Sequence, residues 1–166
     1  MEKDRAAGLR CVTDGEFRRS YWHLDFMWGF QGIQKIELDH GYFFHGEETT
    51  PGSIEVIGKI SGEDHPFVEH FRFVKQFEEE GIVAKQTIPA PAQLLAELYR
   101  EDNGEKTKKI YPDDEQLIQD IAAAYRTVIR ALYAAGCRNL QLDDCTWGAI
   151  VGDAAKQRYQ SLGIDL

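Results

Sequence analysis

Four short apolar runs, three of which contain β-branched residues, are spaced along the chain and constrain its fold more than any other feature. They span residues 9–13, 54–60, 82–88 and 139–143. Apolar strands that alternate with helices are typical of a parallel sheet, because a parallel connection has to cross back over the sheet. The spacing of the runs therefore predicts an α/β fold with about four parallel strands.

The segments between the later runs carry helical periodicity. One of them places four apolar side chains on a single helical face and stops at Gly81, since glycine readily adopts the positive φ that ends a helix. Pro91 can open a second helix, and Pro112 starts the longest helix, which is acidic in its first turn. A loop is predicted at residues 103–104. The predicted helices span residues 66–80, 91–99, 112–135 and 154–161.

The first third of the chain has a less regular pattern. Residues 17–30 mix aromatic and arginine side chains with neither a strand period nor a helix period, which predicts a structured loop containing a helical turn. Residues 33–38 and 42–45 flank a short segment that contains Gly41, and glycine permits a tight reversal. We therefore expect a β-hairpin over residues 33–45, inserted outside the parallel sheet.

The length of the chain limits how much of a barrel it can form. Residues 1–166 suffice for a single domain, whereas a complete (β/α)8, or TIM-type, barrel needs about 250 residues. The expected fold is therefore a partial (β/α)8 barrel or a small open sheet. A partial barrel has two open sheet edges and an exposed inner surface, which favour association. A homo-oligomer is the expected assembly.

Charge and cysteine content exclude several classes of function. The chain has 19 Lys and Arg against 28 Asp and Glu, a net charge of −9, so it lacks the basic surface that binds nucleic acid or anionic membranes. No apolar run is long enough for a membrane-spanning helix, and the charged N-terminus is unlike a signal peptide. These features predict a cytoplasmic protein with no nucleic-acid or membrane partner. Three widely spaced cysteines predict reduced thiols.

Polar residues follow the predicted strands at their carboxyl ends, where α/β proteins bind ligands. Asp and Gly also end strands for purely structural reasons, and this alternative remains open. Adjacent residues of a strand point to opposite faces, so only one of Asp143 and Asp144 is expected to face a ligand. The polar groups are residues 14–16, Lys59 with Ser61, Gln86 with Thr87, and Asp143 with Asp144.

Several charged and reactive residues permit two interpretations. Glu16 with Arg18 and Arg19 could bind the two charged ends of an amino acid, or could form a solvated ion pair. Cys145 could be a nucleophile, although a small buried thiol is the more common state. The histidine and cysteine spacings match no metal motif, so no metal site is predicted from the pattern.

Four segments together resemble one enzyme family. They are VTDGEFRRSYWHLDFMWGF at residues 12–30, IGKI at 57–60, AKQTIPAPAQL at 84–94 and NLQLDDCTWG at 139–148. In this order they resemble the cobalamin-independent methionine synthases, most closely the short, single-barrel bacterial branch. The resemblance implies a (β/α)8 barrel in which zinc activates homocysteine as a thiolate, which then takes a methyl group from a methylated folate.

The resemblance also implies roles for individual residues. Glu16 and Asp143 match the family's two carboxylates that hold the amino group of homocysteine, so homocysteine or a methionine-like amino acid is the expected ligand. Pro89 and Trp147 match positions that shape the pocket. Arg18 and Arg19 match the motif as contacts to a carboxylate or a phosphate.

The family's zinc ligands match no residue of this sequence, because they follow the Asp143-Asp144 motif and fall beyond Leu166. The three cysteines match none of them. We therefore expect no zinc and no other cofactor in this chain, and a methyltransferase that is inactive on its own without a complementing second half. The alternative is a catalytically inactive α/β module for binding or assembly.

Overall fold

The computed structural model describes residues 3, 6–100, 102–149 and 151–161. Its strands are β1 (Cys11–Val12), β2 (Gln31–Glu37), β3 (Phe43–Phe44), β4 (Glu47–Glu48), β5 (Gly52–Ser61), β6 (Val83–Ala84), β7 (Gln86–Pro89) and β8 (Leu140–Asp143). Its helices are α1 (Leu24–Met27), α2 (Phe67–Lys75), α3 (Pro91–Leu98), α4 (Asn103–Ile110), α5 (Asp114–Ala134) and α6 (Asp153–Ser161), with a 3-10 turn at Thr146–Ala149.

Four of the strands form two short parallel pairs. Strand β1 pairs with β6, and β7 pairs with β8, which places Pro89 opposite Asp143. Only Lys85 separates β6 from β7. Its amide donates to the Val12 carbonyl at 2.9 Å, and the next amide, of Gln86, donates to the Asn139 carbonyl at 3.0 Å. Three of the four predicted strands are thus confirmed as parallel.

The remaining predicted strand, residues 54–60, was wrongly placed in the parallel sheet. It lies within β5, which pairs antiparallel with β2, so that Ile33 is opposite Val56. An apolar β-branched run has the same composition in a parallel strand and in an antiparallel strand. The strand with which it pairs determines its orientation. Here a connection of 14 residues joins β2 to β5 and brings β5 back beside β2. An antiparallel pair can form in this way without a crossover helix.

The predicted hairpin over residues 33–45 is also wrong, because the hairpin turn is not at Gly41. Strands β3 and β4 form a small hairpin that reverses at His45 and Gly46, whose φ angles are 49° and 89°. Two successive positive φ angles suit a two-residue hairpin turn. Gly41 has a different role: a Cβ there would lie 2.2 Å from the Thr49 carbonyl oxygen, so the residue allows a close backbone approach.

Most helix predictions are confirmed in kind, with changes at their ends. Helix α3 begins at Pro91, and α5 begins after Asp113, whose side chain accepts a hydrogen bond from the Glu115 amide. Helix α2 is shorter than predicted, and the loop predicted at residues 103–104 is the start of α4. A buried hydrogen bond stabilises α4, because the Thr107 hydroxyl donates to the Leu98 carbonyl at 2.8 Å.

The hydrophobic core lies where helices α2, α3 and α5 pack together with strand β5. Helix α5 contributes a stripe of buried side chains at helical spacing, and aromatic rings from α1 and α2 pack against it. Within the described ranges, the strands form two-stranded pairs and close no barrel. None of the helices in those ranges combines the length and apolar character needed to cross a membrane.

Candidate functional site

The turn after β1 holds its backbone in an unusual conformation. Gly15 and Glu16 both have φ near 60°, and a non-glycine residue rarely adopts this angle. Two side chains stabilise the turn: Thr13 Oγ1 accepts from the Gly15 amide at 3.1 Å, and Asp14 Oδ1 accepts from the Glu16 amide at 2.9 Å. The local sequence Thr-Asp-Gly thereby fixes the direction in which the Glu16 side chain leaves the strand.

Two donors from different elements hold the Glu16 carboxylate. Arg19 Nη1 lies 2.9 Å from Glu16 Oε1, and the Thr87 hydroxyl donates to the same oxygen at 2.8 Å. The Arg19 side chain is 2% exposed, whereas that of Glu16 is 36% exposed. The carboxylate is therefore anchored at one oxygen while the side chain still reaches solvent.

Strand β8 supplies the second carboxylate. Asp143 ends the strand beside Pro89, and its carbonyl accepts from the Ala90 amide at 2.8 Å. Its side chain is partly exposed and accepts a hydrogen bond of 2.5 Å from Gln141 Nε2. Backbone pairing with β7 thus fixes where Asp143 lies relative to the anchored Glu16.

The two carboxylates border one open cavity of about 410 Å³. Its lining consists of Glu16, Trp22, Asp143, Asp144 and Cys145. The cavity lies at the carboxyl ends of the parallel strands, the edge that the sequence indicated. Three of the five lining residues are acidic, and this negative charge makes the cavity suited to a cationic group.

Asp143 and Asp144 both border this cavity, whereas only one of them was expected to face a ligand. The strand ends at Asp143, and the strict alternation of a strand no longer applies to Asp144. Asp144 nevertheless has a structural role, since its Oδ1 accepts from the amide of Thr146 at 2.9 Å and from its hydroxyl at 2.5 Å. It caps the 3-10 turn.

Cys145, which the sequence left open as a nucleophile or a buried thiol, and Trp22, which it did not assign to a site, complete the lining. Cys145 is exposed, contrary to the buried state that we considered more common, and its Sγ donates to Gln93 Oε1 at 2.9 Å. Cys137 is the buried cysteine, and desolvation raises the pKa of its thiol. Trp22 lies in a segment without periodicity, so no sequence pattern pointed to it.

The other predicted site residues do not line the cavity. Arg18 is exposed and stacks over the Phe73 ring, 4.4 Å from its centroid. Pro89 is buried beside Asp143. Trp147 is 60% exposed on the 3-10 turn. Lys59 lies in the antiparallel strand β5 and contacts the Tyr111 ring, so it belongs to a different part of the fold.

A buried polar network lies beside the cavity wall, and no sequence pattern indicated it. Glu97 is 3% exposed and accepts hydrogen bonds from the Tyr42 and Ser53 hydroxyls at 2.5 and 2.9 Å. Burial raises the pKa of Tyr42, and the bond to Glu97 adds to this effect. The His23 ring links the network to Trp22, with 4.9 Å between ring centroids. Desolvation lowers the pKa of His23.

The described residues do not fit the zinc ion that the resemblance implies. Across these ranges, no three side chains of His, Cys, Asp or Glu come close enough together to hold a metal ion. Structural and catalytic zinc sites need at least three protein ligands. We therefore derive no chemical step through zinc for this chain.

Comparisons with known proteins place the chain among longer relatives. No protein family model matches the sequence. Two uncharacterised proteins of Bacillus subtilis (strain 168) are similar to it: YxjH is 40% identical over 166 residues, and YxjG is 35% identical over 164 residues. The matches cover 99% and 98% of this chain, but only 42% of each relative.

One solved structure is similar in both sequence and fold. It is a protein of Listeria monocytogenes, provisionally named a vitamin-B12-independent methionine synthase. The identity is 37%, the TM-score is 0.69, and the alignment covers 92% of this chain and 41% of that one. The comparison supports a related α/β fold, and the chain spans about two-fifths of the length of each of these three proteins.

Proposed function

We propose that the cavity binds the α-ammonium group of homocysteine or methionine through Glu16 and Asp143. The chain would then be the amino-acid-binding part of a cytoplasmic methyltransferase of the methionine synthase type. One observation carries the proposal: two acidic residues, Glu16 in the turn after β1 and Asp143 at the end of β8, border one cavity. The likeness to the Listeria protein supports the choice of ligand.

The chemistry of the cavity suits an ammonium group. An ammonium donates up to three hydrogen bonds, and charge-assisted bonds to carboxylates contribute about 1.5 to 3 kcal/mol each. Three carboxylates line the cavity, and the single guanidinium of Arg19 contacts one of them, so the local charge stays negative. Because the cavity is open, we expect an affinity near millimolar, or about 4 kcal/mol.

The proposed role stops at binding. Thiolate is the attacking form in methyl transfer to homocysteine, and we assign no described residue to generate it. Methyl transfer from a methylated folate would therefore need a complementing polypeptide. In this proposal the parallel pairs form part of a barrel wall that the partner completes.

Calorimetric titration with methionine tests the proposal directly. Glu16→Gln and Asp143→Asn each remove one negative charge with little change in shape, so each should weaken binding about tenfold. Glu80→Gln is the matched control, because Glu80 is exposed at the opposite end of β6. Equal heats in all four proteins would contradict the proposal.

A second candidate function is a catalytically inactive module for binding or assembly. The observation that favours it is the open edge of each parallel pair: in the described part of the chain, β1 pairs only with β6, and β8 only with β7. Leu142 on β8 is 46% exposed. Methionine binding without any gain of methyl transfer on adding a complementing polypeptide would favour this second function.

A further inference from the structure

The Arg19 guanidinium connects two residues of the cavity lining to strand β7. Its Nη1 lies 2.9 Å from Glu16 Oε1 and donates to the Trp22 carbonyl at 3.1 Å. Its Nη2 donates to the carbonyl and the hydroxyl of Thr87, at 2.9 and 3.0 Å. Two of these partners, Glu16 and Trp22, line the cavity, and the third lies on β7.

The surroundings of Arg19 separate it from a ligand in the cavity. Its side chain is 2% exposed, and the guanidinium lies over the Phe67 ring, 4.7 Å from the centroid. Both terminal nitrogens donate to protein acceptors, and Arg19 is not part of the cavity lining. This arrangement leaves the guanidinium no open approach to a ligand carboxylate.

The contacts require the shape of a guanidinium. Its planar fork presents two nitrogens in fixed directions, so one can bind the strand while the other binds the loop. A lysine ammonium is a single point charge and cannot span Thr87 and Glu16 in the same way. Glu16 has a left-handed backbone conformation, which is a costly state unless its surroundings enforce it. The bonds from Arg19 add a side-chain anchor to the turn that Thr13 and Asp14 stabilise.

We propose that Arg19 is a positioning residue, which fastens Glu16 and Trp22 to β7 and thereby presents the Glu16 carboxylate to the ligand. This inference rests on the proposed function, because it assigns Arg19 a role in the same site. In this proposal Arg19 makes no direct contact with a ligand carboxylate, and it affects binding through Glu16.

Two measurements on the same variants test the inference. Arg19→Lys keeps the charge and removes the fork, and Arg18→Gln is the control, since Arg18 stacks on Phe73 outside the cavity. In the ligand-free protein, Arg19→Lys should speed amide hydrogen exchange of Glu16 and Arg19 at least tenfold, whereas Arg18→Gln should change it less than twofold. Unchanged exchange in Arg19→Lys would overturn the attachment.

The second measurement is methionine affinity in a double-variant cycle. Arg19→Lys should raise the Kd about tenfold in the wild-type background and less than twofold in the Glu16→Gln background, because the effect passes through Glu16. A tenfold loss in both backgrounds would indicate a direct contact and overturn the inference. If the wild type binds no methionine, the proposed function fails, and the exchange result alone decides whether Arg19 fastens the loop.

Discussion

Thr87 donates a hydrogen bond of 2.8 Å to Glu16, although 71 residues separate them in the sequence. The bond joins β7 to the turn after β1, two elements that are not neighbours along the chain. Thr87 also accepts from Arg19, so its hydroxyl lies between the charged partners. The position of the Glu16 carboxylate is therefore a property of the folded sheet and not of the turn alone.

The first prediction concerns this hydroxyl. Thr87→Val keeps the branched shape and removes the bond, so the free energy of unfolding should fall by about 1 kcal/mol, and methionine should bind more weakly. Thr127→Val is the control, because Thr127 is half-buried on α5 and its hydroxyl donates to the Ala123 carbonyl within the same helix. Urea unfolding and calorimetry on both variants provide the comparison. Equal values for Thr87→Val and the wild type would mean that the bond does not anchor Glu16.

The second prediction concerns His65 and pH. Desolvation by burial lowers the pKa of His65 to about 4 from its ordinary 6.5. Its Nε2 donates to the Phe26 carbonyl at 2.9 Å, and its Nδ1 accepts from the Phe67 amide at 3.2 Å. Protonation of Nδ1 would remove that acceptor.

The unfolded chain therefore binds the proton more readily than the folded chain. The stabilisation from neutral His65 is fully present above pH 6.5 and is lost as the pH falls from 6.5 towards 4, by about 2 kcal/mol at pH 5. His65→Gln should flatten this pH dependence, and His40→Gln, at an exposed site, should leave it unchanged. Urea unfolding between pH 5 and 8 measures the slope, and the same slope in His65→Gln would refute the assignment.

The third prediction concerns the close packing of Gly62 on α5. A Cβ at Gly62 would lie 2.3 Å from the Ala124 carbonyl oxygen and 3.0 Å from Val128 Cγ2. Gly62→Ala should therefore cost about 2 kcal/mol or more of unfolding free energy, as overpacking does. Gly58→Ala should change stability by less than about 0.5 kcal/mol, because its nearest neighbouring atom is 3.9 Å away. Similar thermal unfolding of the two variants would contradict the packing described for Gly62.

The fourth prediction concerns the open strand edges. Exposed backbone at the outer sides of β1 and β8, with exposed Leu142 beside it, should be covered by another polypeptide. We expect the purified chain to form a homo-oligomer unless a complementing polypeptide is present. Light scattering at micromolar concentration measures the mass, and Leu142→Lys should shift it towards the monomer. A monodisperse monomer of the wild-type chain would contradict the prediction.

The sequence predicted the elements of the fold better than their pairing. Pro91 acts through its own fixed φ and Asp113 through a bond to the Glu115 amide, so the start of α3, and that of α5 to within two residues, could be read locally. The orientation of residues 54–60 depends on β2, and the start of α4 depends on a buried bond from Thr107 to Leu98. Tertiary contacts of this kind leave no periodic signal in the sequence.

The same distinction applies to the candidate site. Glu16 and Asp143 could be identified because both follow short apolar strands and match a family motif, and the structure places both at one cavity. The buried state of Arg19 could not be predicted, since its partners include Thr87, which is 68 residues away. Trp22 was missed because residues 17–30 have neither a helix period nor a strand period.

The central claim is that the carboxylates of Glu16 and Asp143 recognise an ammonium group, and a comparison of two ligands tests it most directly. Methionine and its analogue without the amino group, 4-(methylthio)butanoate, should be titrated into the wild type and into the Glu16→Gln, Asp143→Asn double variant. We predict that the wild type binds methionine at least tenfold more tightly than the analogue, and that the double variant binds both equally weakly. Equal binding of the two ligands by the wild type, or a preference for methionine that persists in the double variant, would contradict the account.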